Sequence, residues 1–212
     1  GKLKGATIKF PKISVGATEN SIVAACLAKG KTVLKNCAIE PEIKDLTNFL
    51  NSAGAKITWK GKVCKIVGVT SLNKTKYTVM ADRIEAGTFC VAATASKGNL
   101  DIINFDGRII KTELDLLKRF GAKIKIQKKR ISIKGPENIK SIKNIKTKEY
   151  PGVPTDMQSQ LMVLMCKANG KSSITENIFE NRFMHVAELR RLGAKINIIK
   201  NKAIIKGNTS FI

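Results

Sequence analysis

The string GAKI occurs three times, at Gly54–Ile57, Gly121–Ile124 and Gly193–Ile196. Reading outward from each copy decides the fold. Upstream lies a segment of helical period, IKDLTNFLNSA (43–53), TELDLLKRF (112–120) and VAELRRL (186–192); downstream come two short alternating strands closed by Gly68, Gly135 and Gly207. Further upstream each copy has a longer apolar helix running to a glycine, Gly30, Gly98 or Gly170. These three glycines are 68 and 72 residues apart, and the GAKI glycines are 67 and 72 apart, as are the strand-closing ones. Shared offsets of this kind mark a structural repeat rather than low complexity. Each unit is expected to run strand, helix, strand, helix, strand, strand, an α/β arrangement in which helices cover one face of a sheet. A glycine in the left-handed C-cap conformation is expected where each helix ends, at Gly30, Gly98 and Gly170 for the first helix and at the GAKI glycine for the second.

A chain of 212 residues with 43% hydrophobic residues and a mean hydropathy of −0.08 can bury a sizeable core. No apolar run reaches the roughly 20 residues that cross a bilayer, and the N-terminal GKLKGATIKF lacks the apolar stretch of a signal peptide. The five cysteines (26, 37, 64, 90 and 166) are odd in number and show no C-x-x-C spacing, so they read as reduced core thiols of a cytoplasmic protein. The net charge of +23 invites a nucleic-acid reading, but its distribution argues against one. In KIKIQKKRISIKG (123–135) and SIKNIKTK (141–148) lysines alternate with isoleucines, which puts the charge on the wet face of half-buried strands. With two tyrosines and one tryptophan there is no aromatic ladder for stacking bases.

Fourteen residues before Gly30, Gly98 and Gly170 the register reaches the start of the first helix of each unit, at Gly16, Ile84 and Asp156. The flanking sequences SVGATEN, DRIEAGT and PTDMQSQ are polar and poorly explained by packing. Helix starts carry unpaired N–H groups and a positive dipole end, which suit phosphate and carboxylate. Plainer readings stand beside these. Ser14-Val15-Gly16 also reads as an ordinary turn capped by Ser14 or Thr18, and Asp156 as a first-turn acid on the helix dipole. Arg83 has Asp82 and Glu85 for surface partners. Glu180, Asn181 and Arg182 fall at a strand-to-helix turn, where Asn caps routinely. His185, the only histidine, is expected to pack in the helix that follows, and no metal site is expected around it.

The peptides SVGATEN, EPEIKDLTNFLNSAGAKI, DRIEAGTF, PTDMQSQ and ENIFENRFMHVAELRRLGAK together resemble the enolpyruvyl transferases, and within them those acting on UDP-N-acetylglucosamine. FENRFMH and PTDMQ favour these over the shikimate-pathway enzyme and the RNA-cyclase relatives. The resemblance implies a two-domain fold of inverse α/β barrels, each of three βαβαββ units. It aligns this chain with the middle half of the family's length, three units of six. Residues 1–80 would be the last unit of one domain, and 81–147 and 148–212 two units of the other.

By that resemblance the parent protein moves enolpyruvyl from phosphoenolpyruvate to the 3-hydroxyl of UDP-N-acetylglucosamine, the opening step of peptidoglycan synthesis, without cofactor or metal. Asp156 matches the family's base on the sugar hydroxyl. Lys12, Ile13, Ser14 and Val15 match the segment holding the nucleotide sugar, with backbone N–H groups near Ser14 to Gly16 facing its diphosphate. Ile178 matches a backbone contact to substrate, and Arg182 matches an arginine facing the family's cleft between domains. The family's N-terminal Lys-Asn motif, its reactive-loop Cys and its last phosphoenolpyruvate-contacting arginine match nothing here, so none of the five cysteines inherits that role. The chain alone is therefore expected to be inactive, to associate with itself or with the missing segments, and to bind neither nucleic acid nor membrane.

Overall fold

The computed structural model describes residues 1–211. They divide into two compact units, residues 1–80 and 81–211, each with its own core. The first holds one repeat: β1 (Thr7–Lys9), α1 (Val15–Cys26), β2 (Lys31–Lys35), α2 (Pro41–Ser52), β3 (Lys56–Lys60) and β4 (Val63–Val67). Its sheet has the order β1-β2-β4-β3, with β1 parallel to β2 and the other pairs antiparallel. Alternation does what the sequence suggests. In β2 and β4 the residues Leu34, Cys64 and Ile66 are fully buried under α1 and α2, while Lys31, Lys35 and Lys65 stand in solvent.

The second compact unit holds two repeats. One comprises α3 (Arg83–Ala95), β5 (Asn99–Ile103), a 3₁₀ turn (Gly107–Ile110), α4 (Lys111–Phe120), β6 (Lys123–Gln127) and β7 (Arg130–Lys134), with a sheet ordered β5-β7-β6. The other comprises β8 (Ile145–Lys146), a 3₁₀ turn (Thr155–Met157), α5 (Gln158–Lys167), β9 (Lys171–Thr175), α6 (His185–Arg191), β10 (Lys195–Ile199) and β11 (Lys202–Lys206). Its sheet runs β10-β11-β9-β8, with β8 parallel to β9. The strand that opens this repeat thus precedes residue 148. The middle repeat departs from the expected pattern in having no opening strand among the described residues. The chain ahead of α3 is committed elsewhere: Asn73 N–H donates to the Ala53 carbonyl, and Tyr77 Oη and Met80 N–H both donate to the Asp45 carboxylate.

The recurrence of GAKI has a single local cause. At each copy the glycine takes a left-handed conformation, with φ of +98° at Gly54, +112° at Gly121 and +94° at Gly193. The following alanine N–H reaches back to a leucine carbonyl five residues earlier, Ala55 to Leu50, Ala122 to Leu117 and Ala194 to Leu189, at 2.9–3.1 Å. The glycine N–H bonds Asn51, Lys118 or Arg190 in the same way. This is the Schellman closure of a helix, in which a hydrophobic contact accompanies the bond. The alanine and the leucine are buried in all three repeats, the lysine turns outward to begin the strand, and the isoleucine turns inward.

The other helix-end expectation is corrected. Gly30, Gly98 and Gly170 are not C-caps, because α1, α3 and α5 are capped at Leu27, Ser96 and Ala168, before the glycine is reached. Gly30 and Gly170 do take the expected left-handed conformation, at φ +92° and +104°, but beyond the cap; in the middle repeat it is Lys97, not Gly98, that takes the positive φ. What these glycines share is a strand-side bond: the carbonyls of Gly30, Gly98 and Gly170 accept from the N–H groups of Gly68, Gly135 and Gly207 at 2.8–2.9 Å. The acceptors' partners are glycine for lack of room. A Cβ on Gly68 or Gly207 would sit 1.6 or 1.8 Å from the carbonyl oxygen of Ala28 or Ala168, and one on Gly135 2.4 Å from that of Ala93.

Candidate functional site

Two helix starts carry the candidate residues, one in each compact unit. In the first, Lys12, Ile13, Ser14, Val15 and Gly16 lead into α1. Ser14 is the N-cap, with φ −144° and ψ 125°, and its Oγ accepts the Ala17 N–H at 3.2 Å. Thr18 does not cap. Its hydroxyl donates to the Ser14 carbonyl at 2.8 Å and accepts the Ala38 N–H at 3.0 Å, clamping the helix start to the segment after β2. Ile13 and Val15 pack on the core, while Lys12, Ser14 and Gly16 are exposed.

Gly16 is informative. Its φ is ordinary and an added Cβ would meet nothing within 4 Å, so neither backbone nor packing asks for glycine. The first turn contains no acid. The Val15 and Gly16 N–H groups, which lie too early for intrahelical acceptors, therefore stand under bare backbone at the positive end of the helix dipole.

In the second unit the start of α5 is built differently. Asp156 lies on the 3₁₀ turn Thr155–Met157, and its carboxylate is reached by Arg182 Nη2 at 2.5 Å, with both side chains partly exposed. Arg182 also lies over the Phe179 ring, 5.2 Å from its centroid. Ile178 is close by in sequence, and its N–H is already spent on Glu176 Oε1 at 2.8 Å, so a backbone contact from Ile178 to a ligand falls to its carbonyl. The structure thus brings Asp156, Ile178 and Arg182 onto one framework.

Sequence reasoning missed the centre of that framework. Glu176 is buried, 3% exposed, and its carboxylate accepts five hydrogen bonds. Oε1 takes the Thr147 hydroxyl at 2.9 Å and the N–H groups of Ile178 and Phe179 at 2.8 and 3.2 Å. Oε2 takes the Thr155 hydroxyl at 2.9 Å and Gln158 Nε2 at 2.6 Å. Burial pushes this carboxyl up, but the donors outweigh it and hold the group below the ordinary glutamate value. The turn bearing Asp156 also leans on α3. Gly87 leaves room for Met157, whose Sδ and Cε would lie 3.0 Å from a Cβ there, and this accounts for the glycine in DRIEAGTF.

Two further expectations are corrected. Arg83 is not a surface partner of Asp82 or Glu85: it is 7% exposed, lies 4.0 Å from Glu113 and stacks over Tyr150. Asp82 instead caps α3, accepting from the Ile84 and Glu85 N–H groups, and Glu85, two residues along a helix from Arg83, faces elsewhere. Asn181 is no cap either. It sits in the left-handed region at φ +54° in the turn before α6, whose N-cap is Met184. His185 opens α6 as expected, with Nε2 3.2 Å from Met162 Sδ, and burial followed by the charge of Arg182 lowers its pKa.

The cysteines are free and buried, and burial pushes Cys64 and Cys90 up to about 12 and Cys166 to about 11, which makes them poor nucleophiles. Among the described residues no group of three or more His, Cys, Asp or Glu is placed to hold a metal, and no helix is long and apolar enough to cross a membrane.

Comparison with known proteins agrees with this architecture. A UDP-N-acetylglucosamine 1-carboxyvinyltransferase of Pelagibacter ubique is 60% identical over 210 residues, which is 99% of this chain and 50% of that protein. The Geobacter metallireducens enzyme of the same name is 50% identical over 97% of this chain and 49% of its own length. The chain spans about half the length of the curated relatives it matches. Among solved structures, the enolpyruvyl transferase NikO of Streptomyces tendae superposes with a TM-score of 0.86 at 22% identity, over 97% of this chain and 52% of its own, and an Acinetobacter baumannii EPSP synthase with a TM-score of 0.69. The fold is therefore that of the enolpyruvyl transferases, in three repeats. The family model described as EPSP synthase (3-phosphoshikimate 1-carboxyvinyltransferase) matches residues 1–211, and the chain belongs to that family.

Proposed function

We propose that the protein carrying this chain transfers enolpyruvyl from phosphoenolpyruvate to the 3-hydroxyl of UDP-N-acetylglucosamine, with Asp156 as the base. The observation that supports it most is an exposed carboxylate at a helix start, oriented by Arg182, in a chain 60% identical to an enzyme of that name. The hydroxyl oxygen adds to C2 of phosphoenolpyruvate while its proton passes to a base, and a separate acid protonates C3. Loss of phosphate and of one C3 proton from the tetrahedral intermediate restores the double bond. Asp156 is a carboxylate within reach of solvent, suited to accept the hydroxyl proton. Arg182 holds it in place by a charge-assisted bond.

The start of α1 takes the diphosphate in this reading. Val15 and Gly16 offer N–H groups and a dipole end, and Gly16 lets a phosphate approach without meeting a side chain. Lys12 adds positive charge, Ile13 fixes the loop by packing, and Ser14 sets the helix start. Ile178 contributes its carbonyl. No cofactor or metal takes part, and the reaction belongs to the cytoplasm as the first step of peptidoglycan synthesis.

The 212-residue chain by itself is inactive in this proposal, because the proton donor and much of the phosphoenolpyruvate site belong to segments it does not match. It also exposes apolar helix faces. Val23 on α1 and Leu27 at its C-cap are each 51% exposed and Phe89 on α3 is 53% exposed, so self-association or capture of the missing segments follows. The experiment is phosphate release from phosphoenolpyruvate by the full-length protein, with UDP-N-acetylglucosamine or shikimate 3-phosphate as acceptor, and by the chain alone. Release that requires the nucleotide sugar and is absent from the chain alone is expected. Release with shikimate 3-phosphate instead, or robust turnover by the chain alone, overturns the proposal.

A further inference from the structure

We propose that Glu176 is a positioning residue that fixes Asp156 against Arg182 and Ile178, and that it does so by its hydrogen-bonding shape rather than by its charge. The inference rests on the reading of Asp156 as the base. Its ground is the connectivity of one buried side chain. Asp156 is flanked in the chain by Thr155 and, two residues on, by Gln158; both donate to Glu176 Oε2. Ile178 and Phe179, which lead to Arg182, donate to Oε1, and so does Thr147 beyond the end of β8. The two oxygens of one carboxylate therefore hold the two segments that meet again at the Asp156–Arg182 pair. The main chain at Glu176 is fixed as well: its N–H donates to the Asn201 carbonyl at 2.8 Å, and its own carbonyl accepts from Asn201 Nδ2 at 2.9 Å. The hub itself is anchored, so it sets the positions of its donors.

Two chemical features separate shape from charge. All five donors are neutral N–H and O–H groups, none a lysine or arginine. Gln158, 1% exposed, has its Oε1 buried without a hydrogen-bond partner. In a Glu176→Gln variant the new amide keeps an oxygen for Thr147, Ile178 and Phe179. Its NH₂ can be met by Gln158 once that amide turns over and presents the Oε1, while the Thr155 hydroxyl turns from donor to acceptor. Glu176→Gln thus keeps the five contacts without the charge, the unpartnered buried group of Gln158 changing from an oxygen to an NH₂. Glu176→Asp does the reverse: it keeps the charge and withdraws the carboxylate by one C–C bond of about 1.5 Å, so the two sets of donors can no longer be reached together.

The test uses the full-length protein, with two readouts for each variant. In steady-state kinetics Glu176→Asp should lower kcat on the order of 10²-fold, as about 1 Å of misplacement does, with the KM for UDP-N-acetylglucosamine little changed, and Glu176→Gln should stay close to the parent. In side-chain NMR the Arg182 guanidinium protons, protected while paired with Asp156, should lose protection in Glu176→Asp, as in Asp156→Asn, and keep it in Glu176→Gln. If Glu176→Asp does not fold, Thr155→Val removes one donor from the Asp156 side and should weaken the same Arg182 protection. Parent-like kcat and Arg182 protection in Glu176→Asp, or in Thr155→Val where that variant replaces it, overturn the proposal. So does a Glu176→Gln variant as damaged as Glu176→Asp, because charge would then be the agent. If Asp156→Asn retains parent turnover, it is the reading of Asp156 that fails, and the Arg182 signals still judge Glu176 separately.

Discussion

The starts of α1 and α5 occupy the same place in their repeats and are made in opposite ways. At α1 the turn is stripped: a serine cap, no acid, and a glycine whose missing side chain serves neither backbone nor packing. At α5 the turn is furnished: an aspartate paired to Arg182, over a buried carboxylate with five donors. A bare start presents N–H groups and suits an anion. A furnished start presents one oriented side chain and suits a proton transfer. In the proposed reading one repeat carries two kinds of chemistry by changing what stands at its first helical turn, while the Schellman closures and sheet order that hold the repeat stay the same.

The largest effect should come from the furnished start. Asp156→Asn in the full-length protein should slow turnover by at least the roughly 10² expected for loss of a general base, with thermal unfolding little changed because the side chain is half exposed. Turnover near that of the parent would remove Asp156 from the chemistry. Next comes the bare start. Ser14→Pro loses the capping oxygen and a backbone donor beside the proposed diphosphate position, and draws φ from −144° toward about −65°, so it should weaken UDP-N-acetylglucosamine binding measured by calorimetry. Unchanged affinity in a folded variant contradicts the assignment.

Gly16→Ala sharpens the contrast. With ordinary φ and free space, alanine should leave stability unchanged or raise it by up to about 1 kcal/mol, yet weaken nucleotide binding by placing a methyl over the N–H groups. A variant that is less stable, or that binds as well as the parent, shows that the glycine serves something else. The smallest effect is on pH. His185 has a lowered pKa in the folded chain, so the unfolded chain takes up its proton first. Its contribution is full above the ordinary histidine value and is lost as pH falls below it. From pH 8 to pH 5 the melting temperature of the parent should fall relative to that of His185→Gln. Parallel curves would show that burial does not disfavour the charged ring.

Much of this was legible from residues alone, for stated reasons. A left-handed glycine, a buried alanine and an outward lysine lie next to one another in GAKI, so the closure of the second helix is written in four residues. The lysine coat was legible because strand alternation has a period of two. The strand-side bond shared by Gly30, Gly98 and Gly170 was not, since its donor is a glycine 37 or 38 residues downstream. Glu176 was hidden for the same reason: its donors are spread from Thr147 to Phe179, and nothing in TEN announces a hub. Arg83 misled because acids flank it in sequence, whereas its partner Glu113 is reached across the fold.

The division of labour between the two helix starts is tested most directly by backbone amide NMR of the full-length protein, titrated first with UDP and then with UDP-N-acetylglucosamine. UDP should shift the amides of Ser14 to Ala17 and leave those around Asp156 and Ile178 in place, and the nucleotide sugar should shift both sets. A nucleotide sugar that moves neither set, or UDP alone that moves the Asp156 and Ile178 amides while sparing Ser14 to Ala17, would contradict it.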